Sequence, residues 1–529
     1  METGLRDKRV REGGAIATFV RQHLPELSLV LIWGALLFTN LGGAAPWWDE
    51  GWTMSVARNL VERGHYGRLL LGALAPSGME AAPPVVGMVA LGLRLWGMGL
   101  WQARLLPAVC TMLALMALYL LGRQLYSKRI ACGALAALLV LVALPNVHPV
   151  HIGRQVLAEM PMLLTLFLGY LALHQALARS PFWLLAAVCA FALAIQMKAQ
   201  TLPFWALSLL VPLGVSFALR RWSATAIYAT ALGGSYLTLR YGLAPFEGLL
   251  LAGRTLPTEP VTGVTEVVAQ VILPFNRLYT LRVTLTWLLP FFVGLLVAAW
   301  RWMRQIRVEA VTAAGLMRLS LLIFSGSWWA WYLALSVGVP RYVFPAMLPA
   351  SLYVSALLAA LTGDFAWRST LRMVAALGRT GPNWRALGAL LALLTLACYL
   401  PLSLLTLTYY FAKFDNSVER VAAYLNTTTP PAAVIETYET ELHFFLQRPY
   451  HYPPDQLHVA LIRLTSLREV FPLDYDPLAA KPDYVVIGPF GANNVLYDEV
   501  LQSGKLRLIH HDGLYDVYVP VPTPSGSTP

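Results

Sequence analysis

Residues 103–122, ARLLPAVCTMLALMALYLLG, form an apolar run with a single charged side chain, Arg104, near its start. A helix of about 20 apolar residues spans the hydrocarbon core of a bilayer, and runs of comparable length recur along this chain. The 529 residues are 57% hydrophobic and 13% charged, whereas soluble proteins carry about 25% charged residues. The sequence therefore predicts a polytopic α-helical membrane protein.

About eleven spans are predicted from these runs. They lie at approximately residues 27–45, 103–122, 130–147, 156–176, 182–197, 201–219, 223–243, 284–302, 315–336, 342–362 and 386–409. The run 84–98 is short and contains Arg94, and we place it at the membrane surface. With that assignment the Lys and Arg clusters between spans fall on one side, which the positive-inside rule identifies as cytoplasmic. The N-terminus is then cytoplasmic and the C-terminal region extracytoplasmic, in a plasma (inner) membrane.

Four segments follow from this topology. Residues 1–26 form a cytoplasmic segment, and 27–411 form the membrane domain, in which 46–102 is a long outer loop. Residues 412–520, which mix a helical pattern with short β-rich runs, predict a small extracytoplasmic α/β domain before a flexible tail at 521–529. The net charge of +11 is spread among the membrane segments, while the C-terminal region is acidic. This distribution fits topology and lipid contact and argues against nucleic-acid binding.

Several polar side chains that are costly near a membrane fall on the predicted outer side. They are Asp49 and Glu50 in WWDEGW, His148 and His151 in PNVHPVHIG, Glu159, Lys198 and Arg341. Individually, most have ordinary explanations, such as helix capping for Asp49 and snorkelling for Lys198. An ionisable residue among apolar spans, as at Glu159, is by default a functional candidate. Together, carboxylates that act as a base and cations that stabilise a phosphate favour transfer of a group from a lipid phosphate.

The order of these motifs resembles the C-type (GT-C) glycosyltransferases that use polyprenyl-phosphate sugars. Within them it is similar to family 39, the protein O-mannosyltransferases and bacterial aminoarabinose transferases. The similarity covers roughly residues 25–360 and is most specific in DEGWTMSVARNLVERGHYG (49–67). It continues through APPVVGMVALGLRLWGMGLWQARLLPAV, GRQVLAEMPMLL, MKAQ and RYVFPAMLP. Two positions depart from the family pattern, because MKAQ lacks the usual glycine and Glu replaces Asp at 159.

The resemblance implies the GT-C fold and a role for each matching residue. Asp49 would be the catalytic base or a metal ligand with Glu50 supporting it, and Glu159 would occupy the second acidic position. Lys198, Arg341 and Tyr342 would contact the donor phosphate. Glu80 would be a further acidic contributor. No cofactor is established by the sequence, and a divalent metal stays open, with Asp49, Glu159, His148 and His151 as candidate ligands.

We therefore expect a membrane glycosyltransferase. It would move a mannose-like hexose or a pentose from a polyprenyl-phosphate donor to an acceptor hydroxyl on the extracytoplasmic face. The acceptor would be a protein, a lipid or a glycan. Two alternatives remain. The same outward charges suit a transporter or flippase for lipid-linked sugars, and the C-terminal region suits a non-catalytic relative that binds envelope glycans.

Overall fold

The computed structural model describes residues 23–79, 81–252, 254, 274–377, 383–412, 414–469 and 473–522. Most of the predicted N-terminal segment and flexible tail lie outside these residues, as do Glu80 and residues 255–273. Helices dominate the part of the chain before residue 414, and strands are concentrated after it.

Eighteen helices are described before residue 414. In chain order they are α1 His23–Phe38, α2 Trp48–Arg63, α3 Pro83–Trp96, α4 Leu100–Leu125, α5 Lys128–Val140, α6 Pro149–Gly153, α7 Glu159–Ala178, α8 Trp183–Met197, α9 Thr201–Ala218, α10 Trp222–Thr238, α11 Ala244–Leu251, α12 Pro274–Trp287, α13 Leu289–Arg304, α14 Ile306–Glu309, α15 Ala313–Ala334, α16 Phe344–Thr362, α17 Trp367–Ala375 and α18 Trp384–Ala412. A short hairpin of β1 Leu69–Leu70 and β2 Ala73–Leu74 follows α2.

Each predicted span overlaps one of these helices, but the helices differ in their ability to cross a bilayer. Five of those described are long and apolar enough to do so, or six if α12 and α13 count as one broken span. The prediction of one continuous span at 284–302 is wrong, because α12 and α13 meet at an angle of 91°. Pro290 explains the break, since it has no N–H to donate to the carbonyl four residues earlier and its ring would clash with that carbonyl, whereas proline is tolerated in the first turn of the next helix. The count of about eleven spans stays a prediction.

The helical part is held by a core in which α4, α7, α8, α9, α15 and α16 pack together. Large aromatic side chains fill it, and Phe204 and Trp328 pack with ring centroids 4.3 Å apart. Two buried tyrosines pair with serines inside this core, with Tyr170 Oη 2.6 Å from Ser208 Oγ and Tyr228 Oη 3.1 Å from Ser320 Oγ. Burial of paired polar groups among apolar side chains fits a helical bundle whose outer surface remains apolar.

The C-terminal region contains a five-stranded mixed sheet in the order β4, β3, β5, β7, β6. The strands are β3 Ile435–Thr437, β4 Tyr450–His451, β5 Tyr484–Ile487, β6 Leu506–Asp512 and β7 Tyr515–Pro520. Its helices are α19 Ser417–Thr428, α20 Thr440–Phe445, α21 Asp455–Leu467, α22 Pro489–Asn493 and α23 Asp498–Gln502. The helix and the β-rich runs that the sequence indicated correspond to α19, β3, β5 and β7. Strands β4 and β6 and helices α20 to α23 were not predicted.

Helix α2, which carries the Asp-Glu pair, lies against α20 of the C-terminal region. A Cβ atom on Gly51 would stand 2.2 Å from the backbone nitrogen of Glu441, so this close approach requires glycine. Trp48 Nε1 donates to the Tyr438 carbonyl at 3.0 Å, and Arg58 Nη1 donates to the Leu446 carbonyl at 2.7 Å. The WWDEGW stretch is thereby enclosed between the helical bundle and the C-terminal sheet.

Candidate active site

The two adjacent carboxylates at the start of α2 point to different environments. Glu50 is fully buried, and its two oxygens accept hydrogen bonds from Arg104 at 2.9 and 2.7 Å. They also accept the backbone N–H groups of Trp47 at 2.8 Å and Val156 at 2.9 Å. A buried carboxylate with four donors is satisfied as an anion. Glu50 therefore joins α2, α4 and the segment before α7, and it does not reach either cavity described below.

Arg104 positions the start of α2, a role that the sequence analysis did not assign to it. Besides Glu50, its guanidinium donates to the carbonyls of Leu41 at 3.1 Å and Ala44 at 2.8 Å. These bonds fix the chain that leads from α1 into α2, and with it the position of Asp49. One signal was available in the sequence, since a cation at the start of an apolar run needs a buried acidic partner.

Asp49, Arg341, Glu159 and Lys198 form a continuous array of alternating charge. Arg341 Nη2 lies 2.5 Å from Asp49 Oδ2, and its Nε lies 3.3 Å from Glu159 Oε1. Lys198 Nζ donates to the same Glu159 oxygen at 2.8 Å. Glu159 is almost fully buried in the first turn of α7, where the helix dipole also stabilises its charge, whereas the Asp49 side chain is 37% exposed. The four residues predicted from separate motifs thus come together in one site.

Two cavities meet at this array. The small cavity, of about 170 Å³, is lined by all four charged residues together with Thr53 and apolar side chains such as Val85 and Met197. The large cavity, of about 320 Å³, lies between the helical part and the C-terminal region. Its lining includes Trp47, Trp48, Asn146, His151, Gln155, Tyr342, Tyr438, His458, Phe490 and Asn494. Asp49 and Arg341 line both cavities.

Tyr342, His148 and His151 lie outside the array of four charged residues. The Tyr342 carbonyl accepts from Trp328 Nε1 at 2.6 Å, and the residue lines the large cavity. His148 is buried at the start of α6, where its Nδ1 accepts the Val150 N–H at 3.2 Å. Burial lowers the pKa of His148 to about 3, so its ring is neutral. The His151 ring stacks on Tyr410 with centroids 4.8 Å apart and lines the large cavity.

The candidate metal ligands do not converge. Within the described residues no group of three His, Cys, Asp or Glu side chains is placed to hold a metal ion. Asp49 and Glu159 instead face the Arg341 guanidinium between them. These donors therefore do not fit a metal centre in this arrangement. Glu80, the further acidic candidate, lies outside the described residues.

Comparison with known families and structures bears on the fold of the chain. The sequence profile of the family described as "Dolichyl-phosphate-mannose-protein mannosyltransferase" matches residues 81–239. This segment contains Glu159 and Lys198. No curated protein matches the chain in sequence.

Solved structures match nearly the whole chain. ArnT from Cupriavidus metallidurans bound to undecaprenyl phosphate has a TM-score of 0.64 at 17% identity, and the match covers 96% of this chain and 99% of that one. The archaeal oligosaccharyltransferase AglB from Archaeoglobus fulgidus, in complex with an inhibitory peptide and a dolichol-phosphate, has a TM-score of 0.54 at 13% identity. That match covers 95% of this chain and 75% of AglB. The GT-C fold expected from the sequence is confirmed.

Proposed function

We propose that this chain, which has the GT-C fold, is a membrane glycosyltransferase that takes a monosaccharide from a polyprenyl-phosphate donor. The observation that carries the proposal is the Asp49–Arg341 ion pair, because it lies in the walls of both cavities. A transferase needs two binding spaces that share one reactive group. The acceptor would enter one space and the donor the other, and their reacting atoms would meet at Asp49.

The small cavity suits the donor phosphate. Lys198 and Arg341 supply two cations in a poorly hydrated setting, where electrostatic stabilisation of a leaving phosphate is stronger than in water. Its apolar lining by Val85 and Met197 is compatible with the first isoprene units of a polyprenyl chain. The match of the surrounding segment to a family named for dolichyl-phosphate-mannose supports the same donor class. We expect a mannose-like hexose or a pentose as the sugar.

Asp49 is the proposed general base. Its carboxylate takes the proton of an acceptor hydroxyl, and the hydroxyl oxygen forms a bond to the anomeric carbon. The bond from that carbon to the phosphate oxygen breaks, and polyprenyl phosphate leaves with the electron pair. Attack from the face opposite the phosphate inverts the anomeric configuration. No metal takes part in this scheme.

The charge array fits this step. The formal charges of the two carboxylates and two cations in the array sum to zero. With the donor bound, the net negative charge of the site is therefore that of the donor phosphate. During transfer, Asp49 loses its charge on protonation while the leaving phosphate gains one. The net charge of the site is therefore unchanged, and the cations strengthen their contact with the group on which charge develops.

Donor turnover tests this function against the transporter alternative. Purified protein in detergent is given radiolabelled polyprenyl-phosphate mannose or polyprenyl-phosphate pentose, and released polyprenyl phosphate is measured. We expect cleavage of one donor that increases when an acceptor is added. A transporter would bind the donor and leave it intact. A non-catalytic glycan-binding protein would neither bind nor cleave the donor. Intact donor across both sugars and a broad acceptor panel would refute the proposal.

A further inference from the structure

We infer that the acceptor is an uncharged saccharide, held in the large cavity with one hydroxyl directed at Asp49. This inference rests on the proposed function, because it names the substrate class of the same site. It is carried by the chemistry of the cavity walls, which combine aromatic surfaces with neutral hydrogen-bonding groups.

Aromatic rings form much of the wall around Asp49. Trp47 is 47% exposed and packs edge-on against Phe490, with ring centroids 5.0 Å apart. Trp48 is held by its bond to the Tyr438 carbonyl and stacks on His458 at 4.4 Å. The exposed ring of Trp47 matches the C–H face of a sugar ring, which buries apolar area while the sugar hydroxyls point outward, and the buried Trp48 supports this wall beside Asp49.

Apart from Asp49, Arg341 and His151, the polar side chains that line the cavity are neutral. The amides of Asn146, Gln155 and Asn494 line it, and amides both donate to and accept from hydroxyl groups. Burial lowers the pKa of His458, so its ring is uncharged near neutral pH. Apart from the paired Asp49 and Arg341, no Lys, Arg, Asp or Glu is among the described residues that line this cavity.

This lining disfavours the two other acceptor classes. A phosphorylated glycolipid needs cations to replace the water around its phosphates, and Arg341, the one Lys or Arg among the described residues that line this cavity, is already assigned to the donor phosphate. Strand addition at a sheet edge is one recurring way to bind an extended peptide, and no residue of the described strands β3–β7 lines the cavity. The walls are side chains that suit a compact polyhydroxylated ligand.

The C-terminal region supplies part of this wall in a fixed geometry. Leu461 and Ile462 come from α21, and Phe490 comes from α22. The loop before Phe490 is held by the buried Glu439 carboxylate, which accepts the N–H groups of Gly488 at 3.0 Å and Gly491 at 2.7 Å. A ring held in this way loses little conformational freedom when a ligand binds. The saccharide site is therefore incomplete without the C-terminal region.

The inference is tested by comparing acceptors with the full-length enzyme and its labelled donor. The panel contains methyl hexosides and a neutral disaccharide, a Ser/Thr-rich peptide, and a phosphorylated glycolipid. We expect saturable transfer to the neutral glycosides. Transfer to the peptide or the phosphoglycolipid without transfer to any glycoside would overturn the inference while leaving the proposed function intact. Failure to cleave the donor with every acceptor would refute both.

Matched tryptophan variants locate the site. Trp47→Ala should raise KM for the glycoside about tenfold, since an aromatic contact of about 1.4 kcal/mol corresponds to that factor, with a smaller change in kcat. Trp96→Ala is the control, because Trp96 is 44% exposed at the end of α3 and does not line the cavity. Phe490→Leu, a milder change, should also raise KM. Equal KM values in all four proteins would contradict the assignment.

Discussion

At the scale of single residues, Asp49 and Glu50 have separate roles although they are neighbours in sequence. The sequence analysis placed both in the reactive site, because helical position alone does not tell which carboxylate faces a cavity. The structure brings Asp49 to both cavities and buries Glu50 against Arg104. The convergence of Asp49, Glu159, Lys198 and Arg341 was predictable from their motifs and common side. The Arg104 partner was not, because its contacts are 54 positions or more from it in sequence.

Glu50→Ala should lower stability by about 3–5 kcal/mol, because it leaves the Arg104 charge buried without its carboxylate. The measurement is the thermal unfolding midpoint of the purified protein. Glu62→Ala is the control on the same helix, where the carboxylate is partly exposed and pairs only with Arg58 in the described contacts. That exposed pair contributes about 0.5 kcal/mol. Similar midpoints for both variants would contradict the buried role of Glu50.

Lys198→Met should slow donor cleavage by about a hundredfold or more, because loss of one electrostatic donor to a developing charge costs about 3 kcal/mol. The readout is the single-turnover rate of polyprenyl phosphate release. Lys505→Met, which changes an exposed lysine of the C-terminal region, should leave the rate unchanged. A Lys198→Met enzyme with the wild-type rate would remove Lys198 from the donor site.

At the scale of elements, the short helices and loops around the sheet position the aromatic wall. The sequence predicted strands β3, β5 and β7 from their β-branched and aromatic runs, but it did not predict how their loops pack. Glu439 and Glu441 are both buried near the loop that carries Phe490, and Tyr515 donates to Glu441 at 2.8 Å. Such burial of acidic residues gives no periodic signal, since it depends on contacts between distant segments.

Burial, together with the neighbouring Glu439 charge, raises the pKa of Glu441 well above its ordinary value of 4.5. The folded protein thus retains a proton that the unfolded chain releases. This contribution to stability is fully present below pH 4.5 and is lost as pH rises through the folded-state pKa. Glu441→Gln should therefore raise the unfolding midpoint more at pH 8 than at pH 5. Glu499→Gln, at an exposed position, serves as the control, and a pH-independent shift would contradict the argument.

At the scale of the whole molecule, apolar run length was sufficient to predict a largely helical membrane protein. The packing of the C-terminal region against the helical part was not predictable from the sequence. It depends on contacts such as the one between Trp48 and Tyr438, which are 390 positions apart. The same contacts form the large cavity. The GT-C fold thus supplies the charged array, and the C-terminal region completes the space on its other side.

Gly51→Ala should separate these two parts, because the added methyl group would collide with the backbone of Glu441. We expect at least a tenfold loss of transfer and faster proteolysis within the C-terminal region, with the helical part still folded. Gly87→Ala is the matched control, since Gly87 lies within α3 and its Cβ would meet no atom within 4 Å. That change should preserve activity and stabilise the helix by about 0.5–1 kcal/mol. Full activity in Gly51→Ala would show that the contact is dispensable.

The most direct test of the central claim is acceptor-dependent release of polyprenyl phosphate by wild type and Asp49→Asn, with donor binding measured in parallel. The Asn side chain keeps the shape of the Asp49 side chain but cannot take the acceptor proton. We predict that the variant folds, binds the donor and releases polyprenyl phosphate at less than about a hundredth of the wild-type rate. Release at the wild-type rate by a well-folded Asp49→Asn protein would contradict the role of Asp49 as the base at the junction of the two cavities.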